Sequence, residues 1–149
     1  MDDYTRIWSG NETFRQNGVA ILIKNNMLSH HVKTVNNISD RIMSIRLYIN
    51  GNYLTIFSIY APTNVADVSS KREFYNSLKA TLKAVPKTDI VLILGDFNAR
   101  INFDEDIDEG STIVGKYANS QLNENGQLLI NFCSDHHFSV INSFYRNGL

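Results

Sequence analysis

Asp96 and Asn98 stand two residues apart in Gly95-Asp96-Phe97-Asn98, directly after the apolar run Asp89-Ile90-Val91-Leu92-Ile93-Leu94. A carboxylate can orient or deprotonate a water molecule. A carboxamide can donate to charge that develops on a phosphate, and so can the phenol of Tyr60, which lies in Ile59-Tyr60-Ala61-Pro62-Thr63. Gathered on one edge, these three groups suit attack by water on a phosphodiester, with a metal ion usually supplying the rest. Each residue also has a plainer account. Asp, Asn and Gly are common where strands end, and a strand-end tyrosine can simply pack on a core.

Such groups need rigid elements behind them. The run Asp89–Leu94 is short, aliphatic and abruptly ended, which predicts a strand buried on both faces. In α/β layers ligands bind just outside the carboxyl ends of strands. Alternation along an extended chain would put Asp96 and Asn98 on one side and Phe97 on the other. Gly95 allows a turn or a close approach to a ligand. Tyr53 to Tyr60 predicts a second strand. Between the two, Ser70 and Glu73 form a capping box, Phe74, Leu78, Leu82 and Val85 recur at helical spacing, and Pro86 stops the helix. Strand, helix, strand is the usual crossover between parallel neighbours, so both polar ends should reach the same sheet edge.

The remaining chain frames this unit. Gly18 to Lys24 reads as a strand broken by Asn25 and Asn26. Arg41 to Ile49 alternates, with Met43, Ile45, Leu47 and Ile49 on one face. Asn50-Gly51 joins it to the next strand and is a strong hairpin signal. A long polar loop runs from Arg100 to about Asn125, the kind of segment that is functional or mobile in compact domains. A second amphipathic helix is predicted from Gln127 to about His137, and a last strand over Phe138 to Ile141.

Length and composition bound the function. A chain of 149 residues is one domain with room for a core. A net charge of −1 argues against a strongly basic nucleic-acid binder, while leaving open an enzyme that grips nucleic acid along a local groove. Cys133 is the single cysteine, so no intrachain disulfide can form, and an intracellular setting, nuclear included, is expected. The polar, acidic start is not a signal peptide, so the sequons at Asn11 and Asn37 carry no weight. No apolar run approaches the roughly 20 residues that span a bilayer.

Four other patterns invite chemistry and lack its context. Gly110 to Lys116 imitates a phosphate loop, but Tyr117 replaces the magnesium-binding hydroxyl, with no strand before or helix start after. Asp104, Asp106 and Asp108 imitate a calcium loop, but Glu109 and Gly115 occupy the positions that need Gly and Glu. Asp135-His136 looks like a catalytic pair, yet neighbours on a helix diverge, and His136 falls in phase with Leu129, Phe132 and Cys133. A half-buried histidine away from Asp96 is expected there. His30-His31 has no further ligand at metal spacing.

With these residues in place, the chain resembles the endonuclease/exonuclease/phosphatase superfamily. More narrowly, it resembles the apurinic-endonuclease-like domains of RTE-type non-LTR retrotransposons and the related craniofacial development protein 2-like proteins. The segments that carry the resemblance run in order: Trp8-Ser9-Gly10, Gln16 to Leu22, Ile38 to Leu47, Ile59 to Thr63, Phe74-Tyr75, Leu94 to Ala99, Val114 to Lys116, and Asn123-Glu-Asn-Gly through Cys133. The resemblance implies a four-layer α/β sandwich, here without its first and last strands, and Mg2+- or Mn2+-dependent cleavage of DNA. Asp96 would activate the attacking water, Asn98 would orient water and phosphate, and Tyr60 would contact the scissile phosphate. The family's metal-binding Glu and catalytic His would fall outside the 149 residues, so weak metal retention and little or no nicking by them alone are expected. The alternative is a catalytically inactive remnant or interaction module of the same fold.

Overall fold

The structure, a computed structural model, describes residues 3–10, 17–26, 29–104 and 110–146. The chain divides into two compact units, Met1–Ala61 with Asp67–Asp96, and Pro62–Ala66 with Phe97–Leu149.

The first unit is built on strands. β1 (Tyr4–Gly10) and β2 (Gly18–Lys24) pair antiparallel as a two-stranded sheet. β3 (Val32–Ser39), β4 (Ile42–Ile49), β5 (Asn52–Tyr60) and β6 (Ile90–Asp96) form a four-stranded sheet in that order. β4 and β5 are joined at Asn50-Gly51, where both residues have positive φ, 48° and 85°, as the favoured two-residue hairpin turn requires. Ile23 of the small sheet packs with Ile45 and Leu47 of the large one, and Ile7, Ile21, Leu54 and Ile56 close around them. β5 and β6 are parallel, with α1 (Val68–Ala84) as the crossover.

Three expectations change here. The strand buried on both faces is β4, where Ile42, Met43, Ser44, Ile45 and Leu47 are all buried. β6 is half-exposed instead. Val91 and Ile93 are half-buried, while Ile90, Leu92 and Leu94 on its other face are 41–58% exposed. The small sheet lies over β3, β4 and β5, and among the described residues β6 pairs on one side only. The helix is not capped by a box at Ser70 and Glu73. Asp67 is the N-cap, its carboxylate accepting from the backbone N–H and the hydroxyl of Ser70 at 2.8 and 2.7 Å and from the Ser69 hydroxyl. An extended Asp with a serine two and three residues on starts the helix one turn earlier than the box implied. Strands β1 and β3 escaped the sequence reading, since neither has a clean apolar alternation.

The second unit centres on α2 (Glu124–His136), whose Leu129, Phe132 and Cys133 are buried. Burial pushes the Cys133 thiol up to about 11, so it stays protonated and inert at neutral pH. The strand expected over Phe138–Ile141 is absent. Phe138 stacks parallel to Phe132 at 6.0 Å, Val140 makes one backbone bond to Ile113, and residues 141–143 form a 3-10 turn. Short side-chain bonds hold this stretch instead of a ladder, with the buried Ser143 hydroxyl accepting from Gly115 N–H at 2.7 Å. Among the described residues of the long loop before α2, Asn102 and Asn119 form an isolated bridge.

Candidate active site

Tyr60 and Asp96 are register partners at the carboxyl ends of the parallel strands β5 and β6. Partners in a parallel ladder point to the same face, so the phenol and the carboxylate emerge together. Ala61 N–H donates to the Asp96 carbonyl at 2.8 Å and carries the ladder one residue past the strand. Tyr60 is half-buried and Asp96 exposed, which suits a positioned donor beside a water-accessible base. The expected convergence of these two residues on one sheet edge is what the structure has.

Gly95 makes this pairing possible. Its φ is 140°, and a Cβ there would fall 2.0 Å from the Ile59 carbonyl oxygen. The glycine therefore serves the approach of β6 to β5, rather than of a ligand to the chain.

Arg41 is a residue the sequence reading missed. Its backbone carbonyl accepts from Tyr60 N–H at 2.9 Å, its Nη1 donates to the Tyr60 carbonyl at 3.2 Å, and its guanidinium lies 5.2 Å from the centre of the Tyr60 ring. The turn that carries it is fixed in turn. Asn17 Nδ2 donates to the Asp40 carboxylate at 2.8 Å, and Arg41 N–H donates to Ser39 Oγ at 3.1 Å. The available signal was a lone Arg at the head of the strand antiparallel to the one ending in Tyr60.

Asn98 lies in the second unit, and the extended alternation assumed for it does not hold. β6 ends at Asp96, and Asn98 has φ 49°, in the left-handed region. Its carbonyl accepts from Asn123 and Asn125, residues that also carried no functional assignment in the sequence reading.

His136 is a half-buried residue of α2, its ring 4.9 Å from Phe132, with Asp135 exposed beside it. His31 Nδ1 lies 2.8 Å from the Tyr48 carbonyl. Lys116 sits over the Tyr117 ring at 5.3 Å, and Gly115 N–H is taken by the Ser143 hydroxyl. Asp106, Asp108 and Glu109 lie outside the described residues. An ion pair lies at the far end of β6, where Arg46 grips Asp89 through Nε and Nη2 at 2.7 and 2.8 Å. That bond holds the Asp89 carboxyl below its ordinary range against the opposing effect of burial, with Thr55 assisting. It is a structural clamp rather than part of the site.

Known proteins share the sequence and fold of this chain. A sequence model of the Endonuclease/Exonuclease/phosphatase family matches residues 2–138. Craniofacial development protein 2 of Bos taurus and that of Tragulus javanicus are each 30% identical over 145 residues, 97% of this chain. The chain spans about a quarter of the length of these relatives, 24% in each case. Among solved structures, the endonuclease domain of TRAS1, a telomere-specific non-LTR retrotransposon, matches with a TM-score of 0.62 at 14% identity, over 91% of this chain and 54% of that one. The fold is therefore the α/β fold of that family, mixed sheets with helices. With its parallel strand ends carrying Tyr60 and Asp96, this chain belongs to the endonuclease/exonuclease/phosphatase family.

Proposed function

We propose that the chain carries the phosphodiesterase chemistry of its family, hydrolysis of a DNA phosphodiester, with Asp96, Tyr60 and Asn98 as its working residues. The observation that carries this reading is the register of Tyr60 with Asp96 at the carboxyl edge of the sheet. Asp96 accepts a proton from water as its oxygen attacks phosphorus. The P–O bond to the leaving sugar oxygen breaks, and that oxygen takes up a proton. Tyr60 donates from its phenol to a non-bridging phosphate oxygen, where charge builds. Asn98, which follows Asp96 by two residues, donates from its carboxamide in the same way. Arg41 holds the Tyr60 main chain and places positive charge over the ring.

The family is generally divalent-metal dependent, and an ion would neutralise phosphate charge and make bound water more acidic. The described residues do not fit a dedicated metal cage, because they bring no three His, Cys, Asp or Glu side chains together. The same observation favours the second reading, a non-catalytic interaction module of this fold.

Conversion of supercoiled plasmid to open circles separates the two. Slow nicking in millimolar Mg2+ or Mn2+ that stops with EDTA and is lost in Asp96→Ala is the result expected of the enzyme. Nicking that survives Asp96→Ala would overturn the assignment of Asp96. A chain that binds DNA or protein but never nicks would establish the module.

A further inference from the structure

We propose that Asn123 and Asn125 are positioning residues that clamp the main chain of Asn98 so that its carboxamide is held ready for phosphate; this rests on the phosphodiesterase reading above. Asn98 has φ 49°, a conformation that non-glycine residues adopt with local support. The support is two carboxamides converging on one carbonyl. Asn123 Nδ2 and Asn125 Nδ2 each donate to the Asn98 carbonyl at 3.2 Å, occupying both of its lone pairs.

Asn123 does this while capping α2. Its Oδ1 accepts from Gly126 N–H at 2.7 Å and from Arg100 N–H at 2.9 Å, and its own N–H donates to the Arg100 carbonyl at 3.2 Å. One side chain thus grips the backbone on both sides of Ala99. Gly126 lets the strap lie close, since a Cβ there would sit 2.0 Å from the Arg100 carbonyl oxygen. Asn125 is 2% exposed, and its Nδ2 also donates to the Pro62 carbonyl at 2.9 Å. Its Oδ1 is buried with no hydrogen-bond partner among the described residues. A buried acceptor left unpaired is costly, and an apolar side chain would avoid that cost. The carboxamide is therefore kept for its donor end, which faces Asn98 and Pro62. A small misplacement of a catalytic donor costs rate out of proportion to the distance moved.

Asn123→Asp isolates the effect. Aspartate keeps the acceptor that caps α2 and holds Arg100, and it caps as well as asparagine. The donor to Asn98 is replaced by an acceptor-only oxygen, which repels the Asn98 carbonyl instead of holding it. In the wild-type chain the positive φ gives a strong NMR cross-peak between the amide and α protons of Asn98. In Asn123→Asp that cross-peak is expected to weaken while the melting temperature holds. The maximal nicking rate is expected to fall about 10-fold with little change in its dependence on DNA concentration. In an Asn98→Ala background the same substitution should cause no further loss. An unchanged cross-peak would overturn the proposal, as would an equal loss of rate in the Asn98→Ala background. Should the wild-type chain show no nicking, the phosphodiesterase reading fails for these 149 residues on their own, and the cross-peak still decides whether Asn123 sets the conformation of Asn98.

Discussion

Tyr60 and Asp96 face each other across the last rung of the parallel pair β5 and β6, and Ala61 N–H closes that rung onto the Asp96 carbonyl at 2.8 Å. The phenol thus needs no loop to reach the carboxylate's side of the sheet. Tyr60→Phe keeps the ring under Arg41 and removes only the hydroxyl. Nicking is expected to fall by about 10²-fold with unchanged melting, the loss typical of a single transition-state donor. Single-turnover rates on plasmid DNA check this, and unchanged rates would remove Tyr60 from the chemistry.

Gly95→Ala is expected to cost about 3 kcal/mol or more, because its Cβ would collide with the Ile59 carbonyl and its φ of 140° is strained for alanine. Urea unfolding measures the loss. A cost below about 0.5 kcal/mol would show that β6 can move away from β5 freely.

The Arg46–Asp89 clamp makes stability depend on acid pH. The folded-state pKa of Asp89 is lowered, first by the Arg46 hydrogen bond. Near neutrality the carboxyl is ionised in both states and the clamp contributes fully. As pH falls through about 3.9, the unfolded value, the unfolded chain takes up the proton first and stability declines. The decline ends once the folded carboxyl is itself protonated. Asp67, lowered by Ser69 and Ser70, adds a dependence of the same sign. Melting temperatures recorded from pH 7 to pH 2 should fall less steeply in Asp89→Asn than in the parent, from a lower starting value.

Asp67→Ala should lower the melting temperature by about 3 °C, while Ser70→Ala and Glu73→Ala should each lower it less. Differential scanning of the three variants tests which residue caps α1. The opposite ranking would restore the capping box.

Ile90, Leu92 and Leu94 leave an apolar strip on the exposed face of β6. Such a strip on a strand paired on one side invites association. Ile90→Lys with Leu92→Lys is expected to raise the concentration at which the chain stays monomeric in light scattering. Each should cost about 1 kcal/mol of stability, because roughly half of either side chain is withdrawn from water.

Local chemistry was readable from residue types. The Asn50-Gly51 turn, the strand Gly18–Lys24, the stop before Pro86 and the phase of His136 with Phe132 all follow from neighbours a few positions apart. The crossover rule was enough to bring Tyr60 and Asp96 to one edge, since a strand, a helix and a strand leave few ways to pair. Burial was another matter. The aliphatic run of β6 and the alternating run of β4 suggested the reverse of what each became, because burial of a strand depends on which sheet lies over it. Only the tertiary structure placed β1 and β2 over β4 and left Ile90, Leu92 and Leu94 exposed. It also decided the conformation of Asn98. Its φ of 49° is held by carboxamides 25 and 27 residues away, and no local propensity encodes a contact made at that separation.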